Sequence, residues 1–207
     1  MNKNIWLSID FDYLNYSKDV LKDFYLITDI IPKSIPCIIT VEHHHVIKHL
    51  EKMIRDKKLQ TPLDIIHIDE HHDHYFNSNR GRELDCGNLF WHLIDYYRSF
   101  KWFQPQLPES TDWSRAKQEL SDNGIKVITT KKPPWNANIH WDKVGLVTFT
   151  VSPDYSIYHV LDNMEKMISI IENDFDLKTY MVRNYSYPIE NIHGWRLITK
   201  TRKKVYG

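Results

Sequence analysis

Residues 67–74 read His-Ile-Asp-Glu-His-His-Asp-His, three acids and four histidines directly behind the apolar run that starts at Leu63. So many ionisable groups side by side repel one another and lose solvation on burial unless something positive sits among them, and a metal ion is the first candidate. Two other stretches repeat the theme: Asp10-Phe-Asp12 and Glu42-His43-His44-His45. Residues two apart on an extended segment point the same way, so Asp69, His71 and Asp73 are expected to converge, as are Asp10 and Asp12, while Glu70 and His72 point elsewhere. Four Asp with one to three His make an oxygen-rich, fairly hard donor set that suits Mn²⁺ better than a thiolate zinc site. One divalent ion rarely needs four carboxylates, whereas two ions about 3.5–4 Å apart, sharing bridging carboxylates, would use them all. Taken singly, Asp10-Phe-Asp12 reads as a solvated strand end and His43–His45 as an exposed helix start. Together, behind corresponding apolar runs, they read as one site.

The elements that must position these residues are short apolar runs rich in β-branched residues, at Ile5–Ile9, Ile35–Val41, Leu63–Ile68, Ile125–Ile128 and Val144–Val151. Helical spacing appears between several of them, over residues 46–59, 88–100 and 157–171. Strands alternating with helices predict a mainly parallel sheet covered on both faces, a three-layer α/β/α fold in a single domain over residues 1–207. Ligands bind such sheets at the carboxyl ends of the strands, where the three acidic and histidine-rich stretches fall. Residues 103–123, with Pro105 and Pro108, and 130–142, with Pro133-Pro134 and two tryptophans, read as long surface connections.

Composition narrows the alternatives. The 207 residues are 42% hydrophobic and 26% charged, ordinary globular values, with 27 basic residues against 27 acidic. A balanced charge argues against a general nucleic-acid binder, and the basic run Lys200-Thr-Arg-Lys-Lys204 reads as a solvated tail. No apolar stretch approaches the roughly 18–20 residues that span a bilayer. The first residues run straight into a strand pattern without signal-peptide features, and Cys37 and Cys86 form no C-x-x-C motif, so a reducing cytoplasm is the expected setting.

The motifs "SIDFD" (Ser8 to Asp12), "DEHHD" (Asp69 to Asp73) and "CGNL" (Cys86 to Leu89), with a histidine at another strand end, resemble those of the arginase/agmatinase (ureohydrolase) superfamily. More closely, "VEHHHVI", "HIDEHHDH", "CGN" and "VTFTVSPDYS" resemble the small family that includes the peptide arginases of ribosomal peptide biosynthesis. The resemblance runs in order over roughly residues 5–172. It implies an arginase-like fold with two Mn²⁺ per chain, and a cytoplasmic enzyme that converts arginine side chains of a ribosomally made precursor peptide to ornithine and urea by attack of metal-activated water on the guanidinium carbon. Carried over, Asp10 and Asp69 bridge both ions, His43 and Asp73 complete one site, and Asp12 and His71 the other. His44 rivals His43, because the histidine repeat leaves the register open by one. Asp154 in "VSPDYS" falls where an acid meets the guanidinium, although Asp is also a good N-cap for a following helix. Asn88 of the "CGN" motif is carried over as a substrate-binding residue.

Three departures accompany the resemblance. The S-x-D-x-D strand comes first in this chain rather than late, which implies a circularly permuted order. Phe90 occupies the position of a motif histidine in the family's G-N-L-H, leaving Asp73 or His92 as general acid. The chain also lacks the loop residues that clamp the α-amino and α-carboxylate groups of free arginine, as suits a peptide substrate. The alternatives are a small-molecule ureohydrolase, a metal-dependent deacetylase on the same fold, or a non-catalytic arginine-peptide-binding protein.

Overall fold

The computed structural model describes residues 3–74, 83–105 and 111–175. The basic run at 200–204 lies outside them. The elements in chain order are β1 (Ile5–Asp10), a 3-10 turn (Phe11–Tyr16), α1 (Val20–Asp29), β2 (Cys37–Thr40), a second 3-10 turn (His43–Val46), α2 (Ile47–Arg55), β3 (Leu63–Ile68), a short α3 (Leu89–His92), β4 (Tyr97–Phe103), α4 (Thr111–Asp122), β5 (Lys126–Thr130), β6 (Val144–Thr150), α5 (Tyr158–Leu161) and α6 (Met164–Asp174). The strands form one six-stranded sheet in the order β2-β6-β1-β3-β4-β5, and every pairing is parallel.

Alternation along the strands builds two cores. Ile5, Leu7 and Ile9 of β1 pack with Phe24 and Ile27 of α1 and Met167, Ile168 and Ile171 of α6 on one face. Trp6 faces the other side, with Leu50 and Met53 of α2, Leu89 and Phe90 of α3, and Trp113, Ala116 and Leu120 of α4. The sheet is thus flanked by helices on both faces, which explains why β1 and β6 are buried along their whole length. Crossovers that step toward β2 use the first face and those that step toward β5 use the second, the condition for all of them to share one hand.

Two segments differ from the sequence expectation. The helix expected over 88–100 ends at His92, and Tyr97–Phe103 is instead the fourth strand. Leu89, Phe90, Leu93 and Tyr97 happen to share helical spacing, but Tyr97, Phe100, Trp102 and Phe103 are aromatic residues that fit a pleated buried surface, and pairing with β3 decides the outcome. The surface connection expected over 103–123 contains α4, whose few apolar residues, Trp113, Ala116 and Leu120, recur at helical spacing and are all buried. The 130–142 connection is largely irregular, with only two single-turn 3-10 segments.

Because Trp113 is fully buried against Phe100 and Trp102, Trp113→Ala should lower stability by about 3–5 kcal/mol. Lys117→Ala, exposed on the same helix, should change it by less than about 0.5 kcal/mol. Thermal or urea unfolding checks this; a Trp113→Ala chain as stable as the parent would contradict the packing of α4.

Candidate metal centre

β1 lies at the middle of the sheet between β6 and β3, where the chain reverses its stepping direction, and such a switch point opens a crevice beyond the strand ends. Asp10 ends β1 opposite Thr150, and Ile9 pairs Ile68, so Asp10, Asp69 and Ser152 come off neighbouring strands at nearly one level. His43 follows β2 on the far side of β6.

Asp12 and Asp73 reach the crevice by routes other than the extended backbone the sequence suggested. Asp12 sits in the first turn of a 3-10 segment that Asp10 caps, Asp10 Oδ1 accepting from the Asp12 N–H at 2.9 Å. After β3 the chain bends at once: the His71 N–H binds Asp69 Oδ1, and Asp73 adopts the left-handed region at φ 51°. Ser152 is also left-handed, at φ 40°. A non-glycine residue there costs conformational energy and persists where the surroundings over-determine it, a pattern common at functional sites.

The polar atoms converge closely. His43 Nδ1 lies 2.6 Å from Asp73 Oδ2, 3.4 Å from Asp10 Oδ2 and 3.5 Å from Asp69 Oδ2. His71 Nδ1 is 2.9 Å from Asp12 Oδ2 and 3.8 Å from Asp69 Oδ1. His67, a residue of β3 that is not among the expected ligands, brings Nε2 to 3.1 Å from Asp69 Oδ2. Two overlapping groups result, His43–His67–Asp69 and Asp12–Asp69–His71, each with its ligand atoms within 4.8 Å of one another, and each could hold a metal ion. Asp69 belongs to both.

His67 is better read as a support than as a ligand. Its Nε2 also lies 3.1 Å from the His71 carbonyl, which only accepts, so Nε2 carries the hydrogen and points it between that carbonyl and Asp69. Trp102 Nε1 donates to the Asp69 carbonyl at 3.0 Å, and the Ser152 hydroxyl donates to Asp10 Oδ2. Supporting hydrogen bonds of this kind orient the ligands of a metal centre. Asp73 stands beside the His43 group, with Oδ2 at 2.6 Å from His43 Nδ1 and 3.9 Å from His67 Nε2.

Electrostatics makes the case for a cation. Asp10, Asp12, Asp69 and Asp73 are all nearly or fully buried, and among the described residues their ion-pair partners are histidines alone. Burial, reinforced by neighbouring carboxylates, pushes Asp10 and Asp69 well above the usual range. Burial acts the same way on Asp73, but His43 outweighs it and holds Asp73 down. His43 would be lowered by its burial, yet Asp73, Asp10 and Asp12 raise it to about 8, and His71 rises to about 9 beside Asp12. Asp69 Oδ2, Asp73 Oδ2 and His43 Nε2 are buried without a well-aligned hydrogen-bond partner. A structural acid in the same sheet is handled differently: Asp64, at the opposite end of β3, is gripped by Arg98 at 2.8 and 3.1 Å, with Ser99 and Asn4. The donor set at the carboxyl edge therefore fits a bound cation.

The charge pattern extends to the mouth. The described segments around the cluster, 10–17, 41–46, 69–74, 83–88 and 151–157, hold Asp10, Asp12, Glu42, Asp69, Glu70, Asp73, Glu83, Asp85 and Asp154 but neither lysine nor arginine. Glu42 is pushed up to about 7 by burial and by Asp154 and Asp85. Asp154 thus shares its surroundings with Glu42; it is exposed in a turn and does not cap α5, whose N-cap is Ile157. His44 is turned toward Glu42, with Nδ1 at 3.2 Å, leaving His43 as the histidine in the cluster. Asn88 is buried; its amide accepts from the Asp85 N–H and donates to the Glu83 carbonyl, holding the 83–88 loop. His92 is exposed, and among the described residues no hydrogen bond or ion pair joins it to the cluster. Phe90 backs the site: its N–H donates to the Asp73 carbonyl at 3.3 Å, and its ring packs against His67 and His74.

No family model, curated protein or solved structure matches this chain. What fold and site define is an α/β chain with a buried His/Asp cluster, able to hold a metal ion, at the carboxyl edge of a parallel sheet.

A divalent cation that binds this cluster should raise the melting temperature, by about 2.7 kcal/mol of stability at a hundredfold excess over its Kd. Asp69→Ala should abolish the shift, because Asp69 serves both groups, while His71→Ala should weaken it. A melting temperature indifferent to Mn²⁺, Zn²⁺ and Mg²⁺ would contradict a metal centre.

Proposed function

We propose that the chain is a Mn²⁺-dependent peptide arginase that hydrolyses arginine side chains of a ribosomally made precursor peptide to ornithine and urea. The observation that carries this reading is the pair of overlapping ligand groups sharing Asp69 inside a mouth lined with acids. A shared carboxylate suits two ions side by side, Asp12 and His71 serving one and His43 and Asp73 the other, with Asp10 and Asp69 between them. An oxygen-rich donor set favours Mn²⁺. The acids of the mouth favour a cationic substrate, which the guanidinium is and the acylated amine of a deacetylase is not. The all-parallel sheet and the resemblance of the motifs support an arginase-like fold in permuted order, with the S-x-D-x-D strand first and beside the D-x-H-x-D strand. Two free cysteines accord with a cytoplasmic setting.

Two divalent cations at this site would acidify a water and balance the negative charge that develops on its attack. The protein's share is positioning and proton handling. Ser152 and His67 fix the Asp10 and Asp69 carboxylates. Asp154 and Glu42 offer charge to the planar guanidinium. Water adds its oxygen to the guanidinium carbon, the bond from that carbon to the side-chain Nε breaks, and the departing nitrogen must gain a proton. Asp73, held ionised beside His43 at 2.6 Å, is the residue proposed to take the attacking water's proton and pass it to that nitrogen. His92, exposed on α3, is the weaker candidate. Phe90, standing where the family has a histidine, favours one second reading, a peptide-binding protein without turnover.

Mass spectrometry of an arginine-containing peptide incubated with Mn²⁺-loaded protein, beside free arginine and agmatine, tests the proposal. Loss of one CN₂H₂ unit per modified arginine, with matching urea, is expected. Urea from the small molecules alone would make the chain a small-molecule ureohydrolase, and binding of the peptide without urea would make it a binding protein.

A further inference from the structure

The exposed apolar side chains are unevenly distributed. Of the eight large hydrophobic residues that stay exposed among those described, Tyr16, Leu84, Tyr155 and Ile157 lie on the segments at the carboxyl edge and Tyr158 opens α5 directly after them. Tyr158 is 76% exposed. Three of these segments are stitched together by one buried side chain. Asn15 Nδ2 donates to Glu70 Oε2 at 2.6 Å and to the Tyr155 carbonyl at 3.0 Å, and Asn15 Oδ1 accepts from the Ile157 N–H at 2.9 Å. Tyr16 reaches the same Glu70, its hydroxyl donating at 2.9 Å. The Tyr155 ring lies 5.6 Å from that of His71, whose side chain is 34% exposed while that of Asp12 beside it is 2% exposed. The cluster therefore meets solvent on the side where the tyrosines stand.

We infer that Tyr16, Tyr155, Ile157 and Tyr158 form a docking shelf for the residues of a basic peptide that flank the arginine entering the site. The choice of occupant rests on the proposed peptide arginase reading and on charge. Two divalent cations would balance the four buried aspartates, leaving Glu42, Glu70, Asp85 and Asp154 on the loops around the shelf against one described lysine there, Lys18, which lines a cavity with His159 beside Tyr158. Exposed tyrosine faces beside carboxylates suit lysine and arginine side chains, which stack on aromatic rings and pair with acids. An exposed apolar patch of this kind on a single chain marks a recognition surface.

The test uses the full-length Mn²⁺-loaded protein and a terminally blocked, fluorescein-labelled, lysine-rich peptide with one central arginine. Anisotropy gives Kd, and urea release is measured in parallel. The double variant Ile157→Ala/Tyr158→Ala should weaken binding by about tenfold. Tyr25→Ala, an exposed tyrosine on α1, should leave it unchanged. Raising the salt should weaken binding to the parent protein, and a glutamate-flanked version of the peptide should bind at least about tenfold more weakly. Equal Kd for the parent and the double variant, or equal binding of the two peptides, overturns the shelf. Urea release with an unchanged Kd in the double variant would overturn the shelf alone. Loss of binding in that variant with no urea from any peptide would leave the shelf standing and count against the arginase reading.

Discussion

Four aspartates buried at one edge of a sheet, with histidines as their only ion-pair partners among the described residues, set the terms for this protein. Their mutual repulsion and lost hydration cannot be offset by a buried lysine or arginine, since none pairs with them among the described residues. A bound cation meets that demand, and the surroundings are arranged as such a site requires. Asp69 is held from behind by His67 and Trp102, and Asp10 by Ser152. Asp64 and Arg98, at the other end of the same strand, illustrate how this fold stabilises an acid that has only a structural role.

The two apolar layers give these loops a stiff base. β1, β3 and β6 are fixed from both faces by α1 and α6 and by α2, α3 and α4. The irregular backbone that shapes the site lies just past the strand ends, where Asp73 and Ser152 take left-handed backbone and Asn15 ties three loops to one another. The side chain that faces the ligands from the α3 segment is Phe90, whose backbone holds Asp73. A ring there packs against His43 and His67 and offers the cluster neither a ligand atom nor a proton.

Much of this was legible in the sequence. Asp69, His71 and Asp73 behind the Leu63–Ile68 run signalled a buried polar cluster, and the same logic pointed to Asp10, Asp12 and His43 at the ends of other strands. The route was not legible: spacing of two suggested an extended backbone, whereas a capped 3-10 turn and a left-handed residue bring Asp12 and Asp73 inward. His67 lies within the Leu63–Ile68 run and Ser152 in a stretch that reads as the start of the next helix, and the contacts that give each its role, with Asp69 and with Asp10, are made only by the fold. The clue for His67 was its position two residues before Asp69 on the same side of a strand. β4 and α4 were misread for a related reason. Aromatic residues at mixed spacing and a polar helix with three apolar contacts take their structure from β3 and from the layer beneath, which local pattern cannot supply.

Two cations sharing Asp69 are what we propose for this cluster. A crystal of the Mn²⁺-loaded protein, with anomalous diffraction recorded on either side of the manganese edge, tests it most directly. Two anomalous peaks about 3.5–4 Å apart are expected, one beside Asp12 and His71, the other beside His43 and Asp73, with Asp69 touching both. A single peak, or manganese bound elsewhere with the four aspartates left without metal, would contradict it.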